Sequence, residues 1–118
     1  MEGYHPTFND GAYPYTSPVG YFPANGYGLY DMAGNVWELC WDLYDGNWYS
    51  NTGALLSDTR GPVSPPGRFP FRVLRGGSWY RDGSDANGAR CARRGVDYPA
   101  ARCDRMGFRC VLGGGSDP

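Results

Sequence analysis

The 118-residue chain has no lysine and no glutamine, a single histidine (His5), and only two glutamates, Glu2 and Glu38. One histidine excludes any site that needs several imidazoles. No apolar run approaches the ~20 residues that span a bilayer, so a membrane is not an expected partner. The first fifteen residues have neither a basic start nor an apolar stretch, so no signal peptide is expected and a cytoplasmic location is the default. The four cysteines, Cys40, Cys91, Cys103 and Cys110, form no C-x-x-C pair, which argues against a zinc ribbon. Spacing does not decide between disulfide pairings and free buried thiols.

Net charge is −1, so electrostatics names no partner. All eleven basic residues are arginine, and most lie between Arg72 and Arg109. Asp82, Asp85, Asp97 and Asp104 interrupt that positive run, so nucleic acid is not expected either. Nineteen glycines and ten prolines raise the question of disorder. Ten tyrosines, five phenylalanines and four tryptophans answer it, because they supply the apolar groups that offset the entropy of ordering.

The pattern predicts an α+β domain of short twisted antiparallel strands, little helix and long loops. Residues 1–15 read as a polar lead-in arm with His5 solvated, 16–112 as the domain, and 113–118 as a linker or tail. Asn25-Gly26 marks a turn. Asp31 to Gly34 reads as one helical turn capped by Asp31. Asn35 to Asp42 alternates, with Trp37, Leu39 and Trp41 expected on the buried face. Tyr44 to Pro70 reads as a long loop, Arg72 to Leu74 as a core strand, Arg90 to Arg94 as a short strand, and Gly107 to Leu112 as the closing strand. Gly76-Gly77 is expected to bring two backbones close or to set a bulge. The expected core is Leu29, Trp37, Leu39, Trp41, Val73, Leu74, Trp79, Phe108 and Val111.

Four motifs recur in order: GYGLYDMAGNVWE from Gly26, RVLRGGSW from Arg72, R-x-A-x-R at Arg90, Ala92 and Arg94, and GFR at Gly107 to Arg109. Together they resemble the later part of the formylglycine-generating enzyme, or sulfatase-modifying-factor, family. The resemblance implies a C-type-lectin-like fold. It also implies that the N-terminal portion of the family domain is absent, which leaves a sheet edge open to oligomer formation. Enzymes of that family oxidise a cysteine in a C-x-P-x-R motif with copper and oxygen, and two cysteines five positions apart hold the metal. Two thiolates suit Cu(I), and one does not. Here the second position is Cys91 and the first is Ala86, so copper is not expected. Cys91 is a catalytic candidate only if the chain is an enzyme, with Arg90, Arg93 and Arg94 as its positive surroundings. An iron-dependent branch needs two histidines, and this chain has one. The resemblance further implies a structural Ca²⁺ held by Asp31 and Glu38 through carboxylates and by Gly34 and Val36 through carbonyls. The alternative is that Asp31 caps a turn and Glu38 meets an arginine.

The same scaffold carries the variable proteins of diversity-generating retroelements, whose randomised codons do not encode Lys, Glu, Gln, Met or Trp. The window Tyr80 to Arg105 contains none of the five. Tyr80, Arg81, Asp82, Asp85, Asn87, Arg93, Val96, Asp97, Tyr98, Asp104 and Arg105 are therefore the candidate ligand-binding residues. Tyrosine gives broad contact at low entropic cost, and Arg and Asp give directional polar bonds. The expected function is a ligand-binding module for a protein or peptide, with a small molecule or glycan as the second ligand class. The alternative is a formylglycine-generating oxidase or a degenerate relative that acts on, or binds, cysteine-containing peptides.

Overall fold

The computed structural model describes residues 5–57, 59–80 and 89–111. Its centre is a four-stranded sheet in the spatial order β3–β2–β1–β4. β1 is Trp37–Leu43, β2 is Arg72–Arg75, β3 is Gly95–Asp97 and β4 is Met106–Gly107. The β1–β2 and β2–β3 pairings are antiparallel, and β4 joins β1 in parallel. A parallel neighbour needs a long crossover, and the chain between β1 and β4 supplies it. Helix among the described residues is confined to single 3-10 turns at Pro6–Phe8, Trp48–Ser50 and Thr52–Leu55. The fold is thus α+β with little helix and long loops, as the pattern predicts, while the expected antiparallel pairing holds for β1–β2 and β2–β3 and gives way to a parallel pair at β4.

β2 is one of the two inner strands, and its side chains carry the core. Val73 is 1% exposed and Leu74 5%, and Trp79 just beyond the strand is 6% exposed. Gly76 and Gly77 both adopt left-handed backbone (φ 89 and 77), which is open to glycine at no steric cost. There the Gly76 carbonyl accepts from Gly34 N–H at 2.8 Å, so the glycine pair does bring two backbones together.

Several expected positions shift. Trp41 is 78% exposed, and Trp37 and Leu39 are half-buried rather than fully buried. The register explains this: Leu39 faces Leu74 but Leu43 faces Arg72, so β1 bulges between them and the period of two breaks. Trp41 instead lies under the Arg72 guanidinium, 5.1 Å from its ring centre. The third strand is Gly95–Asp97, not Arg90 to Arg94. Gly95 pairs with Leu74, where a Cβ would lie 3.2 Å from the Leu74 Cβ and 3.5 Å from the Trp37 ring. Close approach to β2 therefore selects the glycine over the arginines before it. The closing strand is only Met106–Gly107, and Phe108 and Val111 are 77% and 83% exposed. Leu29, also expected in the core, is exposed.

No helical turn forms at Asp31. Asp31 and Gly34 have φ of 52 and 82, incompatible with a right-handed turn. The Asp31 carboxylate accepts from Gly20 N–H at 2.7 Å instead of capping a helix. The expected lead-in arm packs against the domain. Tyr13 and Tyr15 meet Trp79 edge-on at 4.8 and 5.6 Å, and the His5 ring sits 5.0 Å from Phe22.

Candidate functional site

Of the candidate ligand-binding residues, Arg81, Asp82, Asp85 and Asn87 lie outside the described residues, as does Ala86. The others fall into two groups. In the first, the Arg105 guanidinium lies 4.5 Å from the centre of the Tyr80 ring. The neighbouring Asp104 carbonyl accepts from the Trp79 indole N–H at 3.2 Å. A hydrogen bond to the Asp104 carboxylate raises the pKa of the Tyr13 phenol, with desolvation adding to the effect. In the second group, Tyr98 packs 4.5 Å from Phe71 and 5.8 Å from Phe69. Asp97 accepts from Tyr98 N–H at 2.7 Å and faces Arg72 across the ladder, while Val96 is exposed on the edge strand. Arg93 precedes that strand, and its carbonyl accepts from Arg75 at 3.2 Å.

One cavity of about 260 Å³ joins the two groups. Asp97 and Arg105 both line it, with Arg102 and Cys103 between them and Trp37, Leu74 and Met106 as apolar lining. An apolar cleft with a few charged groups at its edge is the usual form of a ligand site. Sequence reasoning missed Phe69, Phe71, Arg102 and Cys103. The Phe69-Pro70-Phe71 triplet beside a core strand was the only available signal for the first two.

All four cysteines are free thiols. Cys40 is half-buried and the other three are exposed, so the expectation of buried thiols holds only in part for Cys40. Burial, followed by the nearby carboxylate of Asp42, pushes the Cys40 pKa up. The expected positive cluster around Cys91 loses Arg94, which lies between the Tyr44 and Tyr49 rings at 5.2 and 4.5 Å and donates to the Asp45 carbonyl at 3.0 Å.

Asp31, Gly34, Val36 and Glu38 all line a second cavity, of about 400 Å³, together with Arg109. Arg109 Nε donates to Glu38 Oε2 at 2.7 Å, and its Nη2 pairs with the other carboxylate oxygen. The same guanidinium donates to the carbonyls of Tyr30 and Asp31, each at 2.9 Å. The hydrogen bond to Glu38 raises the Arg109 pKa. Ca²⁺ takes six to eight oxygens. As arranged, both Glu38 oxygens face Arg109 and the Asp31 carboxylate faces Gly20, so this set does not fit the ion. Among the described residues, no three or more His, Cys, Asp or Glu side chains come together to hold a metal. No helix among them is long and apolar enough to cross a membrane.

A small sheet with little helix and long loops fits the C-type-lectin-like fold, and a solved structure bears this out. Treponema denticola variable protein 1 superposes with a TM-score of 0.61 at 38% identity, over 79% of this chain and 30% of that one. Residues 2–113 match the sulfatase-modifying factor enzyme 1-like domain, and the chain belongs to that family. It is 41% identical over 108 residues to the formylglycine-generating enzyme of Thermomonospora curvata, covering 91% of this chain and 34% of the relative. It is also 43% identical over 98 residues to the serine/threonine-protein kinase pkn1 of Chlamydia caviae, covering 83% of this chain and 15% of the kinase. The chain thus spans about a third of the enzyme's length and less of the kinase's.

Proposed function

We propose that the chain is a ligand-binding module whose contact face is the edge of the 260 Å³ cavity, and that its ligand is a protein or peptide. The observation that carries this reading is that half-buried Asp97 and Arg105 line one cleft, beside the exposed rings of Tyr98 and Tyr80, over a lining of both polar and apolar side chains. Tyrosine rings give contact area with few rotors, and charges of both signs give orientation. Such a face suits a polypeptide, which offers side chains of both kinds. A formylglycine-generating enzyme and a protein kinase share this segment, so likeness in the segment does not carry one chemistry. The similarity to a variable protein, with a Tyr80 to Arg105 window free of Lys, Glu, Gln, Met and Trp, supports a face open to diversification.

A second reading is supported by the 41% identity to a formylglycine-generating enzyme and by the exposed thiols of Cys91 and Cys103. In that reading a cysteine-containing peptide is oxidised.

Selection of a displayed random peptide library on the immobilised protein separates the two. A selected, fluorescein-labelled peptide is then titrated against the unaltered chain and against Asp97→Ala and Arg105→Ala. Each substitution is expected to weaken binding about tenfold, ~1.4 kcal/mol, with the melting temperature little changed. Unchanged affinity in both variants would remove this face from the reading. Aldehyde formed from a C-x-P-x-R peptide in the presence of copper and oxygen would establish the enzyme instead.

A further inference from the structure

We infer that Arg109 is the resident cation of the 400 Å³ cavity beside Glu38, supplying the positive charge that the family resemblance assigns to Ca²⁺. Four protein oxygens converge on its guanidinium: both carboxylate oxygens of Glu38 and the backbone carbonyls of Tyr30 and Asp31. Asp31, the residue between those two carbonyls, has left-handed backbone, so consecutive carbonyls aim at one point where a strand would alternate them. The planar guanidinium matches a carboxylate with two parallel bonds and keeps further donors for the carbonyls. The Asp31 carboxylate, the second acidic group a metal would need, is turned to Gly20 N–H at 2.7 Å. A Ca²⁺ ion entering here would have to displace Arg109 from Glu38 and then sit beside the cation it displaced. The two cations are therefore alternatives.

The arrangement also has a structural consequence. Arg109 follows β4, Glu38 lies in β1, and the two are 71 residues apart in sequence. The guanidinium thus fastens the last described segment to the bent 30–38 segment without a metal. This inference is independent of the ligand-binding reading.

Thermal melting and terbium luminescence, with Tb³⁺ standing in for Ca²⁺, test it. The unaltered protein is expected to melt at the same temperature in calcium and in EGTA, and to give no saturable terbium signal. Arg109→Gln frees the Glu38 carboxylate. It is expected to melt lower in EGTA, to recover part of the loss in calcium, and to bind terbium. Glu38→Gln/Arg109→Gln removes both charges, and is expected to melt above Arg109→Gln in EGTA and to ignore both metals. That double variant and the unaltered protein decide the matter if Arg109→Gln does not fold. A calcium-raised melting temperature in the unaltered protein, with one terbium bound per chain, would overturn the inference. So would a double variant that melts no higher than Arg109→Gln, or that fails to fold.

Discussion

The Trp79 indole N–H donates to the Asp104 carbonyl at 3.2 Å, and this bond ties the buried end of the RVLRGGSW segment to the loop that leads into β4. Trp79 is 6% exposed and meets Tyr13, Tyr15 and Tyr80 edge-on. It therefore holds the N-terminal arm and one side of the candidate face at once. Trp79→Ala is expected to cost ~3–5 kcal/mol in urea unfolding. Trp79→Phe keeps most of the ring and loses the donor, so it should cost less, with ~1 kcal/mol from the hydrogen bond. No loss in Trp79→Phe would mean that the indole N–H contributes nothing measurable.

Gly95 sets how closely β3 approaches β2. A Cβ at this position would stand 3.2 Å from the Leu74 Cβ, which cannot swing away as a side-chain tip can. Gly95→Ala is expected to destabilise by ~1–3 kcal/mol through overpacking. Val96→Ala, one residue on and on the exposed face, should change stability by about 0.5 kcal/mol or less. A thermal melt of the two variants side by side checks the contrast.

Arg94 lies between Tyr44 and Tyr49 and donates to the Asp45 carbonyl, and so holds the 44–57 loop against the strand that follows it. Arg94→Met keeps an apolar stem but loses the charge, and should cost ~0.5–2 kcal/mol. Arg94→Lys should recover only part, because an ammonium lacks the planar fork that stacks and donates together. Faster proteolysis within residues 44–57 in Arg94→Met, and less so in Arg94→Lys, is the expected readout.

Cys40 should behave unlike the other three cysteines. It is half-buried and its thiol pKa is raised, first by burial. At neutral pH iodoacetamide is expected to modify Cys91, Cys103 and Cys110 first and Cys40 last, as read by peptide mass spectrometry. The same shift makes stability pH-dependent. The unfolded thiol loses its proton near the ordinary value of 9.0, before the folded one does. The stabilising contribution is therefore complete below that pH and declines as pH rises through the folded value. Cys40→Ser should flatten that alkaline decline.

The missed and shifted positions have a common cause. Trp41 follows a period of two up to the point where β1 bulges, and a bulge is a relation between strands that one strand's pattern does not contain. Arg90 to Arg94 alternates only weakly, and pairing falls on Gly95, because Leu74 and Trp37 leave little room for a side chain there. Asn35 carried no local signal beyond its place in a motif. It adopts left-handed backbone (φ 63), its side chain bonds Ser17 at both ends, and its carbonyl accepts from Trp79 N–H at 2.7 Å.

Composition, turn residues and the order of the motifs by themselves determined a loop-rich α+β domain, a core strand at Val73 and Leu74, the burial of Trp79 and the family. These are local or ordered properties: aromatic density offsets chain entropy, and motif spacing is read directly along the chain. Only the tertiary structure decided which side chains meet. It turned Trp41 outward, joined Asp97 and Arg105 at one cavity, and placed the Arg109 guanidinium on Glu38 from 71 residues away. Contacts between distant segments depend on register and backbone handedness, which side-chain patterns along one segment do not encode.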